Sequence, residues 1–256
     1  QAQYAIYNQT YTGSYYEHGE VNGTPNYISA LRNTTETRSQ LWRWNTQAFV
    51  NYNKAFGAHK IDATAGFDFM QWRDTNVTTK ATGSESDKVP TLSSGLDFTA
   101  DNTDTKEALM SVFARTGYNY DDRYVASFVI RADGSSKFVK GNRWGFFPAG
   151  SFAWIVSEEP FWNSSKMNTL KARISYGQTG NNGIGLYAAS GAYVYDKYNG
   201  QTLLPSNMKN ADLRWETTTQ LDFGVDMGFF NDRIRLVTDF YDKVTSNMLF
   251  SITLPD

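Results

Sequence analysis

Apolar and polar residues alternate along runs of ten to sixteen residues in this chain, most clearly over 213–247. One face of the first strand in this run carries Leu221, Phe223, Val225, Met227 and Phe229. The other face carries Glu216, Thr218, Gln220, Asp222, Gly224 and Asp226. After Asn231-Asp232 the pattern repeats, with Ile234, Leu236, Thr238 and Phe240 opposite Arg235, Asp239 and Lys243. Because side chains alternate between the two faces of a strand, the run predicts long strands that are apolar on one face and charged on the other. This pattern is typical of a transmembrane β-barrel.

The same alternation predicts nine strands and almost no helix. They run over 3–12, 39–54, 59–73, 107–120, 123–134, 143–157, 168–180, 214–230 and 233–249. Short turns at 55–58, 121–122, 157–167 and 231–232 alternate with long polar loops at 13–38, 74–106, 135–142 and 181–213. Outer-membrane barrels have this asymmetry, although a soluble sandwich can also have uneven loops. Single-chain bacterial barrels have even strand numbers. The odd count therefore predicts an all-β, antiparallel segment of about nine strands from a larger barrel, unless the count is wrong by one.

Aromatic residues gather near the predicted strand ends on the apolar face. Tyr52, Tyr120, Tyr124 and Phe229 lie at the short-turn end, and Trp42 and Trp215 lie at the long-loop end. Aromatic girdles mark the two membrane–water interfaces of a barrel. We interpret these residues as such girdles; the alternative is that they are ordinary aromatic residues of a sheet.

Composition narrows the function classes. The chain has a net charge of −2 and no cysteine, so no nucleic-acid surface, disulfide framework or thiolate metal site is predicted. Mean hydropathy is −0.52, and no run approaches the roughly 18 apolar residues that a membrane helix needs. A barrel strand needs only about ten residues, half of them facing water. The N-terminal residues do not form a signal peptide, so we expect either that one was removed or that the chain begins inside a larger protein.

Several sequence motifs of one protein family occur in the family's order along this chain. They are YNYDDRYVASFVIRADGSSKF (118–138), RWGFFPAGSFAWIVSEE (143–159), LKARISYGQTGNNGIG (170–185), and WETTTQ with DFYDKVTSNML inside 213–249. In these residues the chain resembles the SusC/RagA family of TonB-linked outer-membrane transporters, specifically over 107–249 and more loosely over 39–73. It departs from the family pattern at Ala132, Lys137 and Ile155. We see no TonB box, plug domain or terminal strand, so residues 1–256 are expected to be barrel alone.

The resemblance implies a function and partners. Members import glycans or peptides through a barrel of about 22 strands in the outer membrane of a Gram-negative bacterium. A SusD-like surface lipoprotein caps the mouth, and TonB acts from the periplasm, here through parts outside this chain. Outer-membrane lipid would surround the wall, and no cofactor or enzymatic activity is expected. From the residues alone, a soluble all-β carbohydrate-binding module or glycosidase domain remains an alternative, and so does a structural barrel without transport. A sandwich hides its apolar face between two sheets, whereas a barrel presents it outward.

Polar clusters give little sign of catalysis or metal binding. Glu158 and Glu159 are adjacent, and neighbouring side chains of an extended chain point apart, so they form a poor acid/base pair. The two histidines, His18 and His59, fall at opposite ends of the predicted barrel. The oxygen-rich segment 101–107 lacks the glycine pattern of a calcium loop. We predict no catalytic residue and no metal site, and a solvated loop at 101–107.

Two groups are candidate functional residues. Loop 181–213 carries Tyr187, Tyr193, Tyr195 and Tyr198, and aromatic faces can stack on sugars. We predict substrate or partner contact for these tyrosines, with packing inside the loop as the alternative. Arg131, Asp133 and Arg143 flank the DGSS turn. For them we favour a loop-stabilising ion pair over substrate contact.

The pair Asn231-Asp232 predicts a two-residue hairpin loop, because both residue types tolerate positive φ. This loop places Phe230 across from Arg233. It then sets Phe229 opposite Ile234, Met227 opposite Leu236 and Phe223 opposite Phe240. A slip of one residue would move every one of these side chains to the other face.

Overall fold

The computed structural model describes residues 2–16, 20–21, 24–25, 32–164, 166–196 and 202–251. Thirteen strands lie in these ranges. They are β1 (Ala2–Tyr16), β2 (Glu20–Val21), β3 (Thr24–Pro25), β4 (Thr34–Phe56), β5 (His59–Thr82), β6 (Asp97–Tyr120), β7 (Tyr124–Ser135), β8 (Trp144–Ile155), β9 (Met167–Asn181), β10 (Ala192–Asp196), β11 (Thr202–Asn207), β12 (Glu216–Phe229) and β13 (Ile234–Ser246). Short 3-10 helices occupy Leu92–Ser94 and Val156–Glu158. Among the described residues, no helix has the length and apolar character needed to cross a membrane.

Nine of these strands form one sheet in the order β1-β4-β5-β6-β7-β8-β9-β12-β13. The other four form two small ribbons, β2–β3 and β10–β11. The five pairings from β6 to β13 are antiparallel. The prediction of nine long strands is confirmed, because each predicted strand has its counterpart in the sheet. A sandwich would divide them between two packed sheets, so the soluble-module alternative is not favoured.

The contacts divide the chain into two compact units. One contains residues 1–3, 46–69 and 108–256, and the other contains 4–45 and 70–107. The long strands β4, β5 and β6 contribute residues to both.

Several strands are longer than predicted at the long-loop end. β5 continues to Thr82 and β6 begins at Asp97, so residues 83–96 form the loop that was predicted over 74–106. Threonine and valine at 75, 77, 78 and 79 favour strand geometry. The Arg73 guanidinium also binds the Asp104 carboxylate with two contacts, of 2.9 and 2.6 Å. Segment 101–107 therefore lies in a strand, which corrects the loop prediction. Among the described residues, no group of acidic or histidine side chains could hold a metal.

The β12–β13 register agrees with the predicted pairs. Phe229 lies opposite Ile234, Met227 opposite Leu236, and Phe223 opposite Phe240. The turn, however, contains the four residues 230–233 rather than two, with φ of 54°, 59° and 58° at Phe230, Asn231 and Asp232. Phe230 does not extend the ladder because its N–H donates to the Lys166 carbonyl (2.9 Å). The Asn231 N–H likewise donates to Asn168 Oδ1 (3.0 Å).

The registers place apolar residues side by side across the sheet. One row crosses four strands as Phe152, Ile174, Phe223 and Phe240. All four side chains are exposed. The next row, on the opposite face, contains Ser151, Ser175, Asp222 and Tyr241. A continuous exposed apolar surface of this kind marks contact with a partner or a membrane.

Aromatic rings cluster at the short turns, as predicted for that end. The Tyr124 ring lies 6.2 Å from Tyr120 and 6.4 Å from Trp154, and Tyr120 lies 4.9 Å from His59. At the other end the girdle interpretation is wrong for Trp215. This residue is buried against Phe138 and Phe147 rather than exposed on the apolar face.

Candidate functional site

A buried aromatic cluster holds together the loops 136–143 and 182–215. Its centre is Phe138, Phe147 and Trp215. The Trp215 ring lies 5.6 Å from Phe138 and 5.4 Å, edge-on, from Phe147. Leu109, Ile184 and Leu213 pack around the three rings. This is an apolar core built at the loop end of a sheet whose own faces are exposed.

Two glycines create the space for the Phe147 ring. A Cβ at Gly180 would lie 2.0 Å from this ring, and a Cβ at Gly145 would lie 2.4 Å from it. Atoms that close would overlap, so any larger residue would displace the ring. The Phe147 side chain therefore occupies its place because its own strand β8 and the neighbouring strand β9 carry glycine at these two positions.

Hydrogen bonds tie the two loops to each other around this cluster. Trp215 Nε1–H donates to the Arg143 carbonyl (2.8 Å), and Asn142 Nδ2–H donates to the Ala211 carbonyl (2.9 Å). Asn182 Nδ2–H donates to Ser135 Oγ (3.1 Å). Sequence reasoning did not find this arrangement. The available signal is Phe147, a large apolar residue on the face that otherwise alternates as polar.

The structure brings together two of the three residues predicted to stabilise the DGSS turn. Arg131 Nε lies 2.8 and 2.9 Å from the two Asp133 carboxylate oxygens. Arg131 Nη2 also donates to Ser111 Oγ (2.9 Å). The Arg143 guanidinium does not join this pair, and its Nε donates to the Phe138 carbonyl instead (3.1 Å). The stabilising role of the three residues stays a prediction.

The four candidate tyrosines fall in different settings. Tyr187 adopts φ of 63°, and its carbonyl accepts the N–H groups of Ser190 (3.1 Å) and Gly191 (2.9 Å). Tyr193 and Tyr195 lie in β10, opposite Pro205 and Leu203 of β11. The Tyr193 side chain is 71% exposed. Tyr198 lies outside the described residues. Contact with substrate or partner remains a prediction for all four.

Charges on the polar face of β9, β12 and β13 are paired with one another. Arg173 Nη2 lies 3.1 Å from Asp226 Oδ1 and 2.7 Å from Asp239 Oδ1. Lys171 Nζ lies 3.9 Å from Asp226 Oδ2. These side chains are between 28% and 46% exposed, so the network is hydrated and each pair contributes little by itself.

A buried carboxylate anchors the short turn after β8. Glu159 accepts hydrogen bonds from the Tyr124 hydroxyl (2.5 Å), Trp154 Nε1 (2.9 Å) and Arg123 Nη1 (3.0 Å). These three donors hold the pKa of the Glu159 carboxyl below its usual range, and the Tyr124 hydrogen bond has the largest effect. A carboxylate whose two oxygens are already occupied is poorly suited to acid/base chemistry. Of the two histidines, His59 Nδ1 shares a hydrogen bond with the Tyr118 hydroxyl (2.7 Å), and His18 lies outside the described residues.

Comparison with known proteins decides between the fold classes. Over residues 1–256 the chain matches the family described as "TonB dependent receptor-like, beta-barrel". The chain belongs to this family. Its nine-stranded sheet is therefore a segment of a transmembrane β-barrel. In a TonB-dependent receptor barrel the exposed apolar face is the lipid side, and the ion-paired face is the side of the lumen.

Within this family, the chain is similar to two receptors of known sequence and to one solved structure. It is 33% identical over 241 residues to the TonB-dependent receptor P39 of Formosa agariphila, covering 91% of this chain and 23% of that protein. It is 36% identical over 161 residues to the TonB-dependent receptor SusC of Bacteroides thetaiotaomicron, covering 59% of this chain and 16% of SusC. It is also similar to a chain in the structure of the RagAB peptide transporter. That match has a TM-score of 0.82 and 26% identity, and it covers 99% of this chain and 28% of that one. The SusC/RagA resemblance is confirmed, and the chain spans about a quarter of the length of the receptor P39 and of the RagAB chain.

Proposed function

We propose that the complete protein containing this chain is a TonB-dependent importer of the Gram-negative outer membrane. This segment then supplies barrel wall and part of the extracellular mouth. The observation that carries the proposal is the single nine-stranded sheet, apolar and exposed on one face and ion-paired on the other. Such a wall separates lipid from an aqueous path. The buried cluster Phe138, Phe147 and Trp215 supports the mouth by fixing the two loops beside that path.

The partners follow from the same proposal. A SusD-like surface lipoprotein caps the mouth, and TonB supplies the driving force through parts of the protein outside this chain. The cargo is a large nutrient, either a glycan or a peptide. The similarity to SusC and to the RagAB peptide transporter supports this assignment. We expect no catalysis and no cofactor.

The test of import uses the complete transporter in cells that lack the endogenous copy. We expect uptake of a fluorescently labelled nutrient to require both the transporter and TonB. Deletion of TonB should abolish uptake while the barrel still reaches the outer membrane. Uptake that continues at the wild-type rate without TonB would contradict the proposal.

Ribbon β10–β11 is the best-placed recognition element in loop 182–215. It carries Tyr193 and Tyr195, and the loop leaves the sheet at the aromatic cluster, which holds its base. Loops carry recognition when a rigid sheet positions them. We therefore include Tyr187, Tyr193, Tyr195 and Tyr198 among the residues that meet the cargo or the lid lipoprotein.

The loop is tested by replacing Tyr193, Tyr195 and Tyr198 together with alanine in the complete transporter. We expect reduced uptake or reduced co-purification of the lid lipoprotein, with unchanged heat-modifiable migration of the folded barrel. Phe240→Ala is the matched control, because Phe240 is an aromatic residue of similar exposure (66%) on the apolar face of β13, away from the aqueous path. Wild-type uptake and lid binding in the triple variant would exclude this loop from recognition. Loss of assembly would instead make the tyrosines structural.

A further inference from the structure

A stripe of tyrosines runs along one face of β1. Tyr7, Tyr11 and Tyr15 are separated by four residues each, so they share a face, and their side chains are 48%, 63% and 64% exposed. At a rise of about 3.3 Å per residue, successive tyrosines stand about 13 Å apart. The stripe is therefore about 26 Å long and provides three separate aromatic contacts along a single strand.

The tyrosines lie on the polar face of the sheet. Ile6 lines one cavity of about 340 Å³ together with Trp42, Trp44, Gln71 and Arg73, and Arg43, which alternates with the two tryptophans along β4, also borders it. Trp42 and Trp44 belong to the apolar face of β4. Ile6 is therefore on the apolar face of β1, and the odd-numbered tyrosines point to the opposite side, toward the lumen.

The stripe begins near the edge of the apolar band and continues beyond it. On the apolar face, the residues that follow Trp42 and Trp44 toward the long loops become polar. They line a second cavity of about 290 Å³ that includes Thr12, Ser14, Glu36, Arg38 and Thr79. Charged residues on that face are incompatible with a lipid contact. Tyr11 and Tyr15 therefore lie in a part of the wall that projects past the membrane on the long-loop side.

The strand that carries the rings offers uncharged hydrogen-bonding groups. The β1 segment AQYAIYNQTYTGSYY contains no charged residue. The Tyr7 hydroxyl donates to Gln9 Oε1 (2.8 Å). On the same face of β4 and β5, Ser39 Oγ donates to Asn76 Oδ1 (2.8 Å). The Tyr11 ring lies along the strand over Gly13, where an added Cβ would approach its hydroxyl to 3.1 Å.

We propose that Tyr7, Tyr11 and Tyr15 form a stacking track for a neutral oligosaccharide entering the barrel. The track rests on the proposed import function and gives it a substrate class. Aromatic faces bind the apolar CH face of a pyranose ring, while hydroxyl and amide groups exchange hydrogen bonds with its edge. Contacts repeated along a path bind a polymer weakly at each point and let it advance. The strand that carries the rings has no charged side chain to pair with the charged groups of a peptide, whereas its hydroxyl and amide groups suit a neutral sugar.

The track is tested by oligosaccharide binding to the purified complete transporter. The probes are maltoheptaose, laminarihexaose and xylohexaose, measured by calorimetry, with an uncharged capped heptapeptide as the peptide probe. We expect at least one oligosaccharide to bind. In each single tyrosine-to-alanine variant the affinity for that oligosaccharide should fall about 2- to 10-fold, as expected for loss of one ring contact. The triple alanine variant should lose more than tenfold. Tyrosine-to-phenylalanine variants keep the stacking face and should stay within about threefold of wild type.

Ile6→Ala is the matched control, because Ile6 is 58% exposed on the same strand but on the apolar face. It should leave oligosaccharide affinity unchanged. If the triple alanine variant does not assemble, the single variants decide. Three results overturn the proposal: no binding by any of the three sugars, wild-type affinity in the alanine variants, or peptide binding that alone depends on the tyrosines. Each of these leaves TonB-dependent uptake intact, so failure of the track is distinct from failure of the import proposal.

Discussion

Glycine positions decide which side chains can cross the polar face of the sheet. Gly224 lies opposite Arg173 of β9 and opposite Asp239 of β13. A Cβ at Gly224 would lie 2.5 Å from Arg173 Cζ and 2.6 Å from Asp239 Oδ1. The guanidinium therefore passes directly over the glycine to reach a carboxylate two strands away, at 2.7 Å. The missing side chain at this position makes the ion pair geometrically accessible.

Alanine substitutions at three glycines should destabilise the barrel to different degrees. Gly66→Ala should cost most, about 1–3 kcal/mol, because its Cβ would meet the Ala48 carbonyl oxygen at 2.6 Å and backbone cannot swing aside. Gly224→Ala should cost about 1 kcal/mol or less, since Arg173 can move and only half-exposed ion pairs are lost. Gly177→Ala is the control, because its nearest neighbour would be an ordinary 3.5 Å contact. Urea midpoints of the folded barrel in detergent measure the series. A loss at Gly177 equal to that at Gly66 would refute this ranking.

The buried carboxylate of Glu159 should make stability depend on pH. Its pKa is lowered in the folded protein by the Tyr124, Trp154 and Arg123 hydrogen bonds. The resulting stabilisation is complete above the unfolded pKa, near 4.5, and is lost as the pH falls through the lowered folded value. We expect Glu159→Gln to be less stable than wild type at pH 7, with the gap narrowing below pH 4.5. Unfolding midpoints between pH 7 and pH 3 measure it. Glu158→Gln is the control, and a gap that stays constant with pH would contradict the mechanism.

At the level of the strand, the face assignment predicts opposite responses from neighbouring positions. Val225 belongs to the apolar face of β12, and Arg there should cost about 2–4 kcal/mol near the centre of the bilayer. Leu236 of β13 should respond in the same way. Asp222 points to the polar face, where Arg should cost much less, because no cation pairs with Asp222 among the described residues. The stability of these variants is compared by refolding the complete transporter into lipid vesicles. Equal losses of stability at the two faces would contradict the face assignment.

The two loops should open together when their shared core is damaged. Phe138→Ala removes one ring from the Phe138–Phe147–Trp215 cluster, and the cavity should loosen loops 136–143 and 182–215 without unfolding the sheet. Limited proteolysis and hydrogen exchange should show faster cleavage and exchange in both loops. Phe161→Ala is a control, because Phe161 is an exposed aromatic outside the cluster. Loosening of loop 136–143 alone would show that the cluster does not couple them.

The local sequence pattern was enough to predict the strands. It was not enough to predict the contacts between residues far apart in the chain. The period of two fixes which residues share a face, so the Met227–Leu236 and Phe223–Phe240 pairs followed from the sequence. Strand ends beyond the apolar band did not, because residues 75–82 and 97–106 are mostly polar and resemble a loop. The Trp215 environment was also missed, since its partners Phe138 and Phe147 lie about 70 residues away in the chain.

For the whole molecule, the decisive property is one sheet with two dissimilar faces. Phe152 and Ser151 are neighbours in β8 but point to opposite sides. The chain contains no cysteine, so single cysteines can be introduced at each position once any others in the complete protein are replaced. A fluorophore at 152 should be quenched by a lipid-phase quencher in vesicles, whereas one at 151 should respond to an aqueous quencher. Identical responses at the two positions would contradict a barrel wall in this region.

The order of strands in the sheet also bears on how such a protein can change in evolution. Apart from the β2–β3 and β10–β11 ribbons, each strand lies beside the next one in the chain, and none is inserted between others. Gene duplication or deletion of one hairpin would add or remove two neighbouring strands and leave the ladder continuous. Two strands restore the chain direction, so every remaining side chain would keep its side of the wall. A lineage can therefore widen or narrow its pore in steps of one hairpin while preserving the lipid-facing and lumen-facing sides of the remaining strands.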